Sequence, residues 1–211
     1  MVKPDHKPLE SDGRGAEVYR TAAQIILRKG YDATSVSDIA KALGITKAGL
    51  YHYISGKKQL LFDIMRFGLA ELEREVVRPA LAITDPEARL RFLIINHASI
   101  VTRGLGAVTI LVDEARALTP LQNRKVRQSK RAYFDLLRGT LDELKKAGKL
   151  RAVDTTVATF SILGMINWMS RWCQTEGRLT VTEIAEGLAD MALHGLLRPA
   201  ARSAKRGLRV I

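Results

Sequence analysis

The sequence predicts an all-helical protein of two domains, and three observations carry that prediction. Apolar residues recur at helical spacing over long stretches, no proline interrupts them, and no segment sustains a period-two alternation. Ser, Thr or Asp stands where helices should begin, and glycine where several should stop. The chain has 211 residues, 46% hydrophobic and 27% charged, enough to bury a sizeable core and too apolar for disorder.

Residues 1–12 are polar and aperiodic, with Pro4 and Pro8, and read as a loose arm. A first helix over 13–29 places Val18, Ala22, Ile25 and Ile26 on one face and stops at Gly30. Ser35-Val36-Ser37-Asp38 has the form of a capping box, with Asp in place of Glu or Gln. It starts a second helix that carries Ile39, Ala40 and Leu43 inward as far as Gly44. Thr46 caps a short third helix over 47–53. Ser55-Gly56 then opens a long fourth that runs to Arg78 and is ended by Pro79. Helices follow over 86–102, over 107–117 after the Gly104/Gly106 break, and over 120–147, with Pro120 in the first turn and Gly148 past the end. Asp154 caps another, to about 173. Thr180-Val181-Thr182-Glu183 is a capping box for the last, to 197. The reading divides the chain into an arm (1–12), a first domain (13–58), a second domain (59–198) and a mobile basic tail (199–211).

Lys and Arg number 34 against 22 Asp and Glu, a net charge of +12 that invites a polyanionic partner. The excess is spread out: +3 over residues 1–80, +5 over 81–200 and +4 over the last eleven. Charge alone therefore leaves nucleic acid, anionic ligands and a merely soluble surface open. The lone Cys173 excludes an internal disulfide framework and a Cys-based zinc site, and reads as a small buried apolar residue. No apolar run follows a basic start, and the longest uncharged stretch, Thr155–Ser170, is too short and polar to span a bilayer. The expected compartment is the cytosol, with no membrane partner.

Residues 35–54 carry the functional signal. Two short helices meeting at Gly44 need a small residue at their crossing, which Ala40 supplies, and a glycine for the tight turn. Val36, Ile45 and Leu50 plug the joint. The third helix is then left presenting Lys47, Ala48, Gly49, Tyr51 and His52, a smooth surface with donors that suits a major groove. Ser35 and Thr46, at the two helix starts, join that surface. Lys57 places a cation beside free N–H groups of the next helix, a natural phosphate clamp. By spacing alone the same segment also fits an αα-corner inside a helical bundle.

The stretch AAQIILRKGYDATSVSDIAKALGITKAGLYHYISGKKQLLFDIM closely resembles the amino-terminal domain of the TetR family of transcriptional regulators. The matching residues are Gly30-Tyr31, Thr34-Ser35-Val36, Ile39-Ala40, Gly44, Leu50-Tyr51 and Lys57. Ile54, Gly56 and Lys58 depart from the family's usual Phe, Ser and Glu, which softens the cap of the fourth helix and touches no groove-facing position. The resemblance implies a homodimer on double-stranded operator DNA, and a divergent carboxy-terminal domain that binds a small-molecule effector.

No catalytic set emerges. Asp113 and Glu114 are adjacent on a helix and do not face each other. His97, inside FLIINHASI, reads as a core or pocket-wall histidine rather than a metal ligand, and His194 as part of a subunit contact. Gly104-Leu105-Gly106 lacks the third glycine and preceding strand of a dinucleotide loop. Neither cofactor nor metal is expected. Two features of the second half suggest a ligand site. Arg124, Lys125, Arg127, Lys130 and Arg131 place five cations within eight residues, a ligand cluster or a solvated helix face. Met165, Trp168, Met169 and Trp172 form an i, i+3, i+4, i+7 stripe, core or contact by default, with Asn167 and Arg171 beside it. A buried Arg171 would need a partner. This NW…RW segment resembles that of TetR-type regulators of fatty-acid and steroid breakdown, many of which respond to acyl-CoA thioesters. An acyl-CoA would need an oily pocket beside cations. Phe92, Ile95, Leu111, Met165, Trp168 and Trp172 would supply the first, and Asn167, Arg171, Arg116 or Arg124 the polar contacts. The alternatives are an apolar drug-like or lipid-like effector, or a helical carrier or enzyme.

Overall fold

The computed structural model describes residues 13–102, 117–173 and 177–199. Its helices are α1 (Arg14–Lys29), α2 (Val36–Ala42), α3 (Lys47–Leu50), α4 (Lys57–Leu72), α5 (Arg78–Leu81), α6 (Pro86–Thr102), α7 (Pro120–Lys146), α8 (Thr155–Trp172) and α9 (Val181–Leu196). A π-helical turn, Glu73–Val77, joins α4 to α5. Among the described residues the extended pairing is one antiparallel bridge, Leu150 with Leu197. The fold is all-α, as the periodicity predicts. The helix expected over 107–117 falls, except for Ala117, outside the described residues, as do the arm and most of the tail.

Local chemistry sets the helix starts. Ser35 Oγ accepts from the Asp38 N–H, and the Asp38 carboxylate accepts from the Ser35 N–H at 2.9 Å. Thr180 and Glu183 repeat the arrangement on α9. Thr119 and Gln122 do so on α7, a capping box not anticipated from the sequence. Asp154 accepts from the N–H groups of Thr156 and Val157. Bonds from the backbone N–H groups they cap hold the Asp38, Asp154 and Glu183 carboxyls below the usual carboxylate range.

One expectation fails at Pro79, which does not end the fourth helix. Winding continues to Leu81 because the π turn precedes the proline. The Arg78 N–H bonds the Glu73 carbonyl five residues back. The wider turn relieves the clash between the proline ring and the carbonyl four residues earlier.

Ile26, Ile39, Leu50 and Leu60 meet in the core of the first three helices and the start of α4. Gly44 makes the α2–α3 turn at φ +64°. In the second half α6 packs against α7, α8 and α9, with Leu90, Leu93, Ile94 and Ile100 wholly buried. Arg91 pairs with Asp190 between α6 and α9, and Arg89 with Glu143 between α6 and α7 at 2.7 Å. The element common to both halves is α4, which packs on both α1 and α7. Among the described residues no helix is long and apolar enough to cross a membrane.

Candidate nucleic-acid interface and ligand cavity

Thr46 Oγ1 accepts from the Gly49 N–H at 3.0 Å and so fixes the start of α3. Leu50, fully buried, is the residue by which α3 is anchored. Helical winding continues past Leu50 through bonds from Tyr51 to Lys47, His52 to Gly49 and Tyr53 to Leu50. Lys47, Ala48, Tyr51 and His52 are therefore exposed together, with Thr46 and Ser35 exposed and Gly49 half-buried. A Cβ on Gly49 would stand 3.2 Å from Thr46 Oγ1, too close for the cap to stay as it is. Tyr53 is exposed beside Tyr51 and joins the surface, although the sequence reading leaves it out of the site. A signal for it exists: Leu50 and Ile54, four apart, are both buried, so the residues between them face outward.

Lys57 is already engaged. Its Nζ donates to the Asp32 carbonyl at 3.1 Å and lies 4.4 Å from the Tyr31 ring centre, which fastens the start of α4 to the turn after α1. Gly56, at φ +147°, precedes α4 without a side-chain cap, so the first N–H groups of this helix are open to an anion. Donors on a smooth face beside an uncapped helix start suit base edges and a phosphate respectively.

The expected ligand residues do not share one environment. Met169 is buried, whereas Trp168 is 65% and Trp172 51% exposed on the outer face of α8, with Arg171 exposed beside them. Val157 and Phe160 of α8 and Met191 of α9 are exposed as well. Among the described residues nothing encloses the two indoles. Phe92, Ile95, Met165 and Asn167 are half-buried. Arg116 and Leu111 lie outside the described residues. The α7 cations diverge too. Arg124 and Arg127 border a shallow depression with Pro120 and Asn123, while Arg131 pairs with Asp135 at 3.0 Å.

Lys125 faces a different space. A cavity of about 440 Å³ lies between α4 with its π turn and α7. Phe62, Leu69, Val77 and Val126 give it an apolar wall, and Arg66 and Lys125 contribute cations. Its one carboxylate, Glu73, pairs with Arg78 at 3.4 Å. Tyr133 also lines it, and the Tyr133 hydroxyl lies 3.1 Å from His97 Nδ1. His97, 3% exposed, has no hydrogen-bond partner for Nε2 among the described residues. Burial lowers the His97 pKa to about 4 and raises that of Tyr133. Nearer the start of α4, Gln122 Nε2 donates to Gln59 Oε1 at 3.2 Å, and Gln59 Nε2 donates to Asp63 at 2.9 Å. The cap of α7 is thereby bonded to the first turn of α4. His97 and Tyr133 are 36 residues apart, and no local signal in the sequence pairs them.

Comparison with known proteins agrees with this layout. Residues 18–64 match the family of bacterial regulatory proteins named for tetR, and residues 84–196 match the tetracyclin repressor-like carboxy-terminal domain. The HTH-type transcriptional repressor KstR2 of Rhodococcus jostii is 30% identical over 192 residues, spanning 89% of this chain and 93% of that protein. The crystal structure of AibR in complex with isovaleryl coenzyme A and operator DNA is similar with a TM-score of 0.76 and 38% identity. That likeness covers 85% of this chain and 97% of AibR. PfmR from Thermus thermophilus, a TetR family transcriptional regulator, is similar at 32% identity with a TM-score of 0.74, over 86% of this chain and 99% of PfmR.

Proposed function

The chain belongs to the TetR family of bacterial regulatory proteins, and on that premise we propose a homodimeric repressor that leaves its operator when an acyl-CoA thioester binds. The observation that carries the reading is the exposed set on and after α3, held by the Thr46 cap and the buried Leu50. Lys47, Ala48, Gly49, Tyr51 and His52 meet base edges, while Ser35, Thr46 and Lys57 meet the backbone. The reader spans 13–58 and the effector and dimerisation domain 59–198, with α4 running across the boundary. The exposed apolar face of α8 and α9 supports pairing, because a lone subunit would leave Phe160, Trp168, Trp172 and Met191 in water. Such a dimer sets its two readers about 34 Å apart, one turn of B-DNA.

The effector class is supported by the likeness to AibR, a protein solved with isovaleryl coenzyme A and operator DNA. In this chain Phe92, Asn167, Trp168, Arg171 and Trp172, with Arg116 and Arg124, are the proposed effector contacts, those on the outer face of α8 acting across the subunit seam. A DNA-shift assay with fragments flanking the protein's own gene, titrated with acyl-CoAs, free CoA and fatty acids, tests the whole reading. Release by acyl-CoA alone is the expected result, and release by none of them removes the acyl-CoA assignment. Arg171→Ala should keep operator binding and lose release. If it instead weakens dimer and operator binding together, Arg171 serves the seam and not the effector.

A further inference from the structure

Resting on that repressor reading, we propose that the leading turns of α7 form a second DNA surface, with Arg124 and Arg127 meeting backbone phosphates beside those met at the start of α4. Between Pro120 and Phe134 this helix carries Arg124, Lys125, Arg127, Lys130 and Arg131 and no acidic residue. That placement is unfavourable twice over. The amino-terminal end of a helix carries positive partial charge and favours acids. Arg124, Arg127 and Lys130 also follow one another at spacings of three, where like charges repel. Arg131 has Asp135 as a partner, whereas Arg124, Lys125 and Arg127 are exposed and have no acidic partner among the described residues. The repulsion registers at Lys130, whose pKa is lowered by partial burial and then by Arg127. A solvated face of mixed charge would avoid both costs, and a polyanion offsets them.

Position names the polyanion. Gln122, in the first turn of α7, is bonded to Gln59, in the first turn of α4. The cavity between the two helices is lined by α4 residues from Phe62 onward and by α7 residues from Lys125 onward. Both sets lie beyond the bonded pair, so the helices run alongside in the same direction and start at the same end. That end is where Lys57 and the uncapped N–H groups of α4 meet a phosphate in the reading above. Arg127, five residues past Gln122, is about 7–8 Å further along the axis. Helical side chains lean toward the amino-terminal end of their helix, so the stems of Arg124 and Arg127 set out toward the start of α4. Both border a depression with Leu118, Pro120 and Asn123 that holds no acid. A guanidinium fits a phosphate with two parallel bonds. The effector contact proposed for Arg124 uses the same phosphate chemistry, and the test separates the two sources.

The test compares two charge-matched variants of the full-length protein, Arg124→Gln/Arg127→Gln and Lys145→Gln/Lys146→Gln, the second pair at the far end of the same helix. Operator affinity is measured between about 50 and 200 mM salt on a fragment extending beyond the operator on each side. The arginine pair should weaken binding about tenfold or more. It should lower the slope of log affinity against log salt by about two, one phosphate per subunit at about 0.9 each. Unrelated DNA should show the same loss, because phosphates carry no sequence. The lysine pair should change neither affinity nor slope. Unchanged binding by the arginine variant overturns the proposal, and so does equal weakening by both pairs, which would reflect net charge alone. If the arginine variant binds operator as the parent does but is no longer released by acyl-CoA, the phosphates are the effector's, and the proposal falls while the repressor reading stands. A parent protein that binds no fragment near its own gene removes that reading and this surface with it. Should the double variant not fold, Arg127→Gln alone decides, with a smaller fall in slope expected.

Discussion

In the DNA-reading half, Thr34 Oγ1 donates to the Gly30 carbonyl at 2.8 Å and Arg14 to the Leu43 carbonyl at 3.1 Å. Lys57 is bound to Asp32, and caps close the starts of α2 and α3. In the carboxy-terminal half a buried histidine keeps a nitrogen without a partner among the described residues, a π turn interrupts the helix, and a cavity stands beside that turn. Local bonds fasten the helices of the first half to one another, although the start of α4 is uncapped, and so hold its exposed surface in one form. The second half keeps a buried nitrogen unsatisfied among the described residues, the kind of state that a ligand can complete.

The largest expected effect tests the rigid half. Leu50 is fully buried where α2, α3 and α4 meet, so Leu50→Ala should cost about 3 kcal/mol through lost burial and a cavity. Operator binding should disappear with it. Urea unfolding and a DNA-shift assay check both, and a loss below about 1 kcal/mol would show that the joint does not depend on this residue.

The underbonded half should answer in the opposite sense. His97→Leu/Tyr133→Phe removes both members of a buried polar pair and leaves apolar side chains of similar size, so the variant should be at least as stable as the parent near neutral pH. Its main signature is pH dependence. The native pKa of about 4 lies below the ordinary 6.5, so the unfolded chain takes up the proton first as pH falls. Stability should therefore fall between 6.5 and about 4, by about 2 kcal/mol between neutral pH and pH 5. The double variant should lack that slope. Identical slopes in urea melts of parent and variant would place the proton uptake elsewhere.

Smaller effects sharpen the account of the reader. Ser35→Ala removes half of the α2 capping box and should cost about 1 kcal/mol. Lys57→Ala should weaken operator and unrelated DNA alike and reduce the salt slope by about one counterion. Because Lys57 also fastens α4 to the turn after α1, a modest loss of stability should accompany it. Unchanged salt dependence would mean that Lys57 is structural only.

Legibility along the chain follows the range of the interaction. Ser35–Asp38, Asp154 and Thr180–Glu183 are readable because a cap is completed within one turn. Gly44 is readable because its turn demands a positive φ. Thr119–Gln122 is equally local, but Pro120 between them marks the same helix start by a different signal and hides the box. Pro79 misleads as a stop because a widened turn just before it absorbs its cost, and no sequence period announces a π turn. Trp168 and Met169 sit side by side, yet one is exposed and the other buried, since the helix meets the core on one face only. His97 and Tyr133 become partners only when α6 and α7 pack together.

The finest effect concerns how the halves communicate. Gln122 serves two elements at once, capping α7 through Oε1 and donating through Nε2 to Gln59 on α4. A ligand between α4 and α7 would act on that link, because it joins the same two helices. Gln122→Ala alone confuses loss of the cap with loss of the link, so a cycle with Gln59→Ala is needed. Cap loss appears in both backgrounds and cancels, leaving the bond between the two amides. A neutral, half-buried hydrogen bond of this kind should give a coupling of about 0.5–1 kcal/mol in stability. The same cycle, read as the effector concentration that half-releases operator DNA, should show a coupling of similar size if the link transmits occupancy. Coupling in stability without coupling in release would make the bond a fastener between domains and move the transmission to the packing of α4 against α7.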